Sequence, residues 1–232
     1  MNDIFLRTRL LIGSEAINKL KSSKVAVFGV GGVGSFVTEA LARASVGKID
    51  IFDGDVVDAT NINRQLIALH STIGMSKVEV MKKRLIDINP KIVVNAHHVV
   101  FNASNADEFS FEDYDYIVDA IDMVSSKLLI ISKAKALGKN VISSMGMGNK
   151  INPSMIEITD IFSTQNCPLA RVMRRELKAR KISSLKVAYS KEMPLYKPEN
   201  KVNSSISFVP SVGGLMIASE VVRDLIKDYL KN

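Results

Sequence analysis

Apolar positions along the 232-residue chain fall into two alternating kinds of segment: short continuous runs, and longer stretches in which they recur every three or four residues. Residues 25–30, 49–52, 93–100, 116–121 and 140–144 are of the first kind. Runs of this length, apolar on both sides and rich in β-branched residues, predict strands buried on both faces. Residues 35–44, 76–88 and 125–137 are of the second kind. In 76–88 the side chains Val78, Met81, Leu85 and Ile88 share one helical face. Gly47, Asn89-Pro90 and Gly138 are placed to end the three helices. Strands alternating with helices of these lengths predict an α/β fold: a doubly wound, Rossmann-like, mostly parallel sheet covered on both faces. The remainder of the chain predicts a strand over 152–161, a basic helix over 169–180 and a polar loop with two prolines over 185–204. A short apolar segment follows at 206–209, then a terminal helix over 211–230 that starts at Ser211 after Pro210.

Composition narrows the class. With 47% apolar and 24% charged residues the chain reads as an ordinary globular protein, expected to fold as one domain over 1–232. No apolar run is long enough to span a bilayer and no signal pattern opens the chain, so a cytoplasmic location without membrane contact is expected. Cys167 is the single cysteine, which excludes an internal disulfide and a cysteine-based zinc site, and three histidines offer little else to a structural metal. The net charge of +7 is local: from Cys167 to Lys201 there are ten basic residues against three acidic, a surplus equal to that of the whole chain.

Chemistry enters at the first strand. Gly29-Val30-Gly31-Gly32-Val33-Gly34 is G-x-G-x-x-G between a predicted strand and a predicted helix, the context in which glycines and helix-start amides cradle phosphate. Asp53 closes the second strand, where an acidic side chain reaches ribose hydroxyls. Dinucleotide and ATP both satisfy this much. Beyond the strand, residues 53–65 gather Asp55, Asn61, Arg64 and Gln65, and Lys77 opens the next helix. Asp122 follows the fourth strand. A hydride-transfer enzyme has little use for these cations, whereas steadying a triphosphate and its departing pyrophosphate calls for them and for Mg²⁺.

At these residues the chain resembles the activating-enzyme family that includes ThiF, MoeB and the adenylation domains of ubiquitin-activating enzymes. The resemblance implies that Gly29, Gly31, Gly32 and Gly34 form an ATP loop, that Asp53 binds the ribose, that Asp55 belongs to the nucleotide site, and that Asn61, Arg64, Gln65 and Lys77 attend the phosphates. It implies that Asp122 positions Mg²⁺, and that Arg7 (with Arg9 as second candidate) reaches the ATP of a neighbouring subunit in a homodimer. The chain lacks the two Cys-x-x-Cys pairs common among ThiF and MoeB relatives, which indicates a zinc-free branch. The arm ending Arg-Leu-Leu-Ile-Gly13, Asn61-Ile-Asn-Arg-Gln65, Ile88-Asn-Pro90 and Pro168-Leu-Ala-Arg171 are similar to the tRNA threonylcarbamoyladenosine dehydratase branch. That branch implies ATP-dependent cyclisation of threonylcarbamoyladenosine in tRNA through carboxylate adenylation. The resemblance leaves room for a monovalent cation and a sulfur-transfer protein partner. It divides the chain into an arm (1–24), a nucleotide-binding core (25–161) and a C-terminal segment for substrate and dimer contacts (162–232).

Arg171, Arg174, Arg175 and Lys178 follow i, i+3, i+4, i+7 spacing and form one stripe on the basic helix, a candidate phosphate track for the tRNA or else a solvated face. Cys167 before Pro168 reads as a small packing residue, with a thioester role as the alternative from relatives. His70, His97 and His98 carry no triad or metal pattern. Two other functions fit parts of this pattern. One is adenylation of a ubiquitin-like sulfur-carrier protein; the other is a nicotinamide-dependent oxidoreductase or a nucleotide-sensing binding module, against which the 61–65 run and Lys77 argue.

Overall fold

In the computed structural model, which describes residues 3–195 and 203–230, the side chains of the first strand already divide the molecule. Val25 and Val27 of β1 (Lys24–Phe28) enter one apolar cluster, and Ala26 and Phe28 enter another on the opposite face of the sheet. Alternation of this kind needs apolar cover on both sides, and the helices supply it.

The elements follow in chain order. Two N-terminal helices, α1 (Leu6–Ile12) and α2 (Ser14–Ser22), precede β1. Next come α3 (Gly34–Arg43), β2 (Lys48–Phe52), α4 (Lys77–Ile88) and β3 (Val93–His97). The second half runs β4 (Tyr116–Asp119), α5 (Val124–Ala136), β5 (Asn140–Ser144), β6 (Ile156–Asp160), α6 (Pro168–Ala179), β7 (Lys186–Ser190) and α7 (Phe208–Ile226). The seven strands are ordered β3-β2-β1-β4-β5-β7-β6, parallel throughout except for β6, which pairs antiparallel with β7. The α/β, doubly wound expectation holds. Helices α2, α3, α4 and α7 contribute to one cluster; α5 and α6 contribute to the other, where Phe28 stacks on Phe52 with ring centroids 4.3 Å apart. Among the described residues no helix is long and apolar enough to cross a membrane.

Three local expectations are corrected. The stretch 185–204 is not all polar loop: its first part is β7, an interior strand between β5 and β6 with Val187, Ala188 and Tyr189 buried. Pairing on both edges satisfies its backbone, which a short run between lysines does not advertise. Helix α7 begins at Phe208, so 206–209 is no strand and Ser211 no start; Pro210 sits in the first turn, where its missing N–H costs nothing. The turn after α3 is made by Ser45, at φ +75°, rather than by Gly47. Strand ends also shorten: β3 stops at His97 and β6 begins only at Ile156, after a turn at Pro153–Met155.

Candidate active site

The carboxyl ends of β1 and β4 meet where the winding of the sheet reverses, and a cavity of about 710 Å³ opens there. The glycine loop is its floor. Gly29 takes φ +89°, and a Cβ there would stand 2.7 Å from the Ala120 carbonyl oxygen. Gly34 is needed for packing instead: a Cβ would fall 1.8 Å from the Gly29 carbonyl oxygen. Gly34 therefore shapes the loop without lining the cavity. Gly29, Gly31 and Gly32 do line it.

Asp53 is tied to the loop. Its Oδ2 accepts from the Val30 backbone N–H at 2.8 Å and its Oδ1 from that of Asp55 at 2.9 Å. Lys77, its side chain only 7% exposed, lies 2.7 Å from Asp55 and 4.0 Å from Asp53. A buried ammonium paired to an exposed carboxylate can exchange that partner for phosphate oxygens. Asp58 caps the short helix Ala59–Asn61, where Asn61 Oδ1 accepts from the Asp58 backbone N–H at 3.1 Å. The Thr60 hydroxyl and backbone N–H hold the Asp58 carboxyl below the usual range. This cap fixes the turn that presents Arg64, whose guanidinium donates to Thr60 O at 2.9 Å and Asn63 Oδ1 at 3.0 Å. Gln65 is buried, and its Oε1 has no partner among the described residues. An orphaned amide oxygen in a cavity wall fits a ligand donor such as a ribose hydroxyl; rotated, the same amide offers N–H to phosphate.

Asp122 stands exposed on the same cavity, past the end of β4. The end of β4 and the turn that follows it are locked from below. Fully buried Lys127 donates to the Ile121 carbonyl oxygen at 2.9 Å and pairs with Asp119 at 3.0 Å, while Ser143 donates to the same carboxylate. Among the described residues no three or more His, Cys, Asp or Glu side chains converge on a metal position. A single carboxylate is enough for Mg²⁺ when substrate phosphates complete its shell, and Asp122 fits that mode.

Several lining residues carried no signal in the motif reading. The segment 144–150 after β5 forms one wall, and a Gly-Met-Gly run directly beyond a strand was the available clue. Lys150, buried there, donates to Ser190 O at 2.9 Å and Glu192 O at 2.7 Å, and burial lowers its pKa. Asn149 accepts from the Ser204 backbone N–H at 2.9 Å, joining that wall to residues 203–205. Cys167, Pro168 and Leu169 bring the start of α6 to the rim. Cys167 is buried and its Sγ accepts from the Ala170 backbone N–H at 3.4 Å, as a helix cap does. Of the histidines, His97 stacks on Phe52, and burial lowers its pKa.

The basic stripe is split by its surroundings. Arg174 is half-buried and donates to Thr164, so it is turned out of the stripe. Arg175 and Arg180 both pair with Glu176, Lys186 pairs with Glu220 and Asp224 of α7, and Lys191 with Glu157. Lys186 and Lys191 thus find carboxylates outside the segment, and the concentrated charge is only partly balanced in space. Arg171 and Lys178 stay exposed. Lys197 and Lys201 lie outside the described residues. Arg7 is exposed on α1, away from the cavity of its own chain, while Arg9 pairs with Asp3 at 2.8 Å.

A glycine-floored cavity at the switch point of a doubly wound sheet, with a buried lysine and an arginine at its edge, defines a nucleotide-binding enzyme that manages phosphate charge. The chain belongs to the ThiF family, which matches residues 5–232. It is 42% identical over 241 residues to the tRNA threonylcarbamoyladenosine dehydratase of Bacillus subtilis (strain 168), covering 97% of this chain and 95% of that protein. To the dehydratase of Escherichia coli (strain K12) it is 36% identical over 172 residues, 74% of this chain and 64% of that one. The crystal structure of the E. coli enzyme, TcdA, in complex with ATP matches it with a TM-score of 0.91 at 30% identity, over 97% of this chain and 94% of that chain.

Proposed function

We propose that the protein is an ATP-dependent dehydratase that cyclises N6-threonylcarbamoyladenosine in tRNA by adenylating its carboxylate. The observation that carries the reading is the convergence of the glycine loop, Lys77, Arg64 and Asp122 on one cavity whose rim is the start of a basic helix. The near-full-length similarity to a dehydratase supports the choice of substrate.

In the first step a carboxylate oxygen of the substrate attacks the α-phosphorus of ATP, and the bond to pyrophosphate breaks. In the second, a nucleophile within the same modified adenosine attacks the activated acyl carbon and AMP leaves; the nucleoside has lost one water. The glycine loop and α3 amides receive phosphate oxygens, and Asp53 and Gln65 orient the ribose. Lys77 and Arg64 counter the charge that builds on the departing pyrophosphate. Asp122, and behind it the Lys127–Asp119 pair, set the position at which Mg²⁺ would join the phosphates and offset their charge. No enzyme nucleophile is required, so positioning and electrostatics carry the rate. Cys167 serves as a cap rather than as an acceptor.

The same reading takes the enzyme as one domain working as a homodimer, in which Arg7 of one copy reaches the phosphates of the other. The exposed leucines of α1 support this, with Leu10 77% and Leu11 83% accessible. The test of function is mass analysis of tRNA nucleosides after incubation with enzyme and ATP. Loss of one water from threonylcarbamoyladenosine is the expected outcome; an unchanged nucleoside alongside pyrophosphate exchange driven by a carrier protein would overturn it.

A further inference from the structure

A second hollow, of about 690 Å³, runs between α5 and α6. Val124, Leu128 and Leu129 of α5 face Val172 of α6 across it, and the turn at Ala103 closes its far side. Arg175 and Arg180 stand at its edge, each 3.0 Å from the Glu176 carboxylate between them. The hollow abuts the nucleotide cavity. Ser126 lines both spaces, and its Oγ donates to Phe101 O at 2.6 Å, pinning the ridge that divides them.

We propose that this hollow is the subsite for a nucleotide flanking the modified adenosine in the substrate RNA, with its base on the apolar walls and its phosphate against Arg175 and Arg180. The inference rests on the tRNA reading above. A polymer whose reacting residue enters the nucleotide cavity must lead its next residue away along the adjoining surface, and this hollow adjoins. Single-stranded RNA is bound through splayed bases laid on apolar or guanidinium surfaces, with cations along the backbone. Both kinds of surface occur here side by side. Glu176 holds two guanidiniums together yet engages only part of their N–H groups, so the rim keeps donors and one net positive charge. The Gly-Gly tail of a carrier protein has no apolar face to cover these walls, which is why RNA is the occupant that fits.

The experiment measures binding of the full chain, with ATP present, to a synthetic anticodon hairpin carrying threonylcarbamoyladenosine. Hairpins with an abasic residue on either side of it serve as comparisons. Ala103→Trp fills the hollow from an exposed turn, and Arg180→Ala removes one cation. Ala103→Trp is expected to weaken binding of the intact hairpin about tenfold, the scale of one lost base stack. Arg180→Ala is expected to weaken it about threefold, the scale of one phosphate contact at moderate salt. One abasic hairpin should already bind about tenfold more weakly and be indifferent to Ala103→Trp, with ATP affinity unchanged throughout. Equal affinity of wild type and Ala103→Trp for the intact hairpin overturns the subsite, as does an equal further loss on both abasic hairpins. Binding of a Gly-Gly tail peptide that Ala103→Trp abolishes overturns it too. Hairpin binding is read without turnover, so a hollow that behaves as expected on an RNA that is never dehydrated sinks the dehydratase reading alone.

Discussion

Lys77 shows at the scale of one residue how the fold prepares a charge for work. Burying an ammonium is costly unless it is paired, and here the partner is Asp55, itself 67% exposed and free to yield. Lys77→Ala is expected to lower ATP–pyrophosphate exchange by about 10²–10³-fold, the size of effect seen when one charge-stabilising donor is removed. An exchange rate within threefold of wild type would exclude that role. Cys167 points the other way. Its thiol caps α6, and serine can accept the same N–H, so Cys167→Ser is expected to keep turnover within about twofold. Complete loss of nucleoside dehydration would make the thiol an acceptor after all. The residues of the phosphate end of the cavity were legible because the motif ties residue type to spacing: glycine where backbone crowds backbone, aspartate at a strand end, lysine at a helix start. Arg174 was not, because helical spacing says which face a side chain leaves from and nothing about Thr164, the partner that draws it in.

At the scale of elements, the position of α3 against α4 depends on one carboxylate. Glu39 is buried on α3 and meets Arg84 of α4 at 2.7 Å and Arg43 one turn along at 2.7 Å. Burial raises its pKa, but the hydrogen bonds and charges of the two arginines outweigh that, and the net shift is below the usual 4.5. A depressed folded value means that the unfolded chain binds the proton more tightly. The stabilisation is therefore complete above about pH 4.5 and lost as pH falls through the folded value. Both arginines are partly exposed, so Glu39→Gln is expected to cost about 1 kcal/mol at pH 7 by denaturant titration, with the cost shrinking as pH falls below 4.5. A cost that grows on acidification would contradict the assignment. On α6, Arg171 and Lys178 keep the outward face. Their joint replacement by alanine should weaken tRNA binding and reduce the salt slope by about 2, while Arg174→Ala should lower thermal stability instead. The strand β7 belongs to this scale as well: its three buried apolar residues are too short a run to signal a strand, and only the edges of β5 and β6 make it one.

For the molecule as a whole, the exposed leucines of α1 and the absence of Arg7 from the lining of its own cavity bear on assembly. Under the proposed homodimer, Leu10→Lys with Leu11→Lys is expected to lower the sedimentation coefficient to that of a monomer and to reduce adenylation, because the proposed contribution of Arg7 across the interface is lost. An unchanged sedimentation coefficient would place the interface elsewhere. The amino-acid sequence by itself determined the doubly wound core and its phosphate loop, since apolar period and glycine sterics act over a few residues. It also carried the family resemblance, whose motifs are contiguous. Only the tertiary structure decided that the 144–150 wall and the 203–205 segment complete the cavity, that β7 is interior, and that Lys186 and Lys191 of the basic segment pair with carboxylates outside it. Each of these depends on partners tens of residues away, and charge or pairing between such partners is a property of the packed chain rather than of any segment within it.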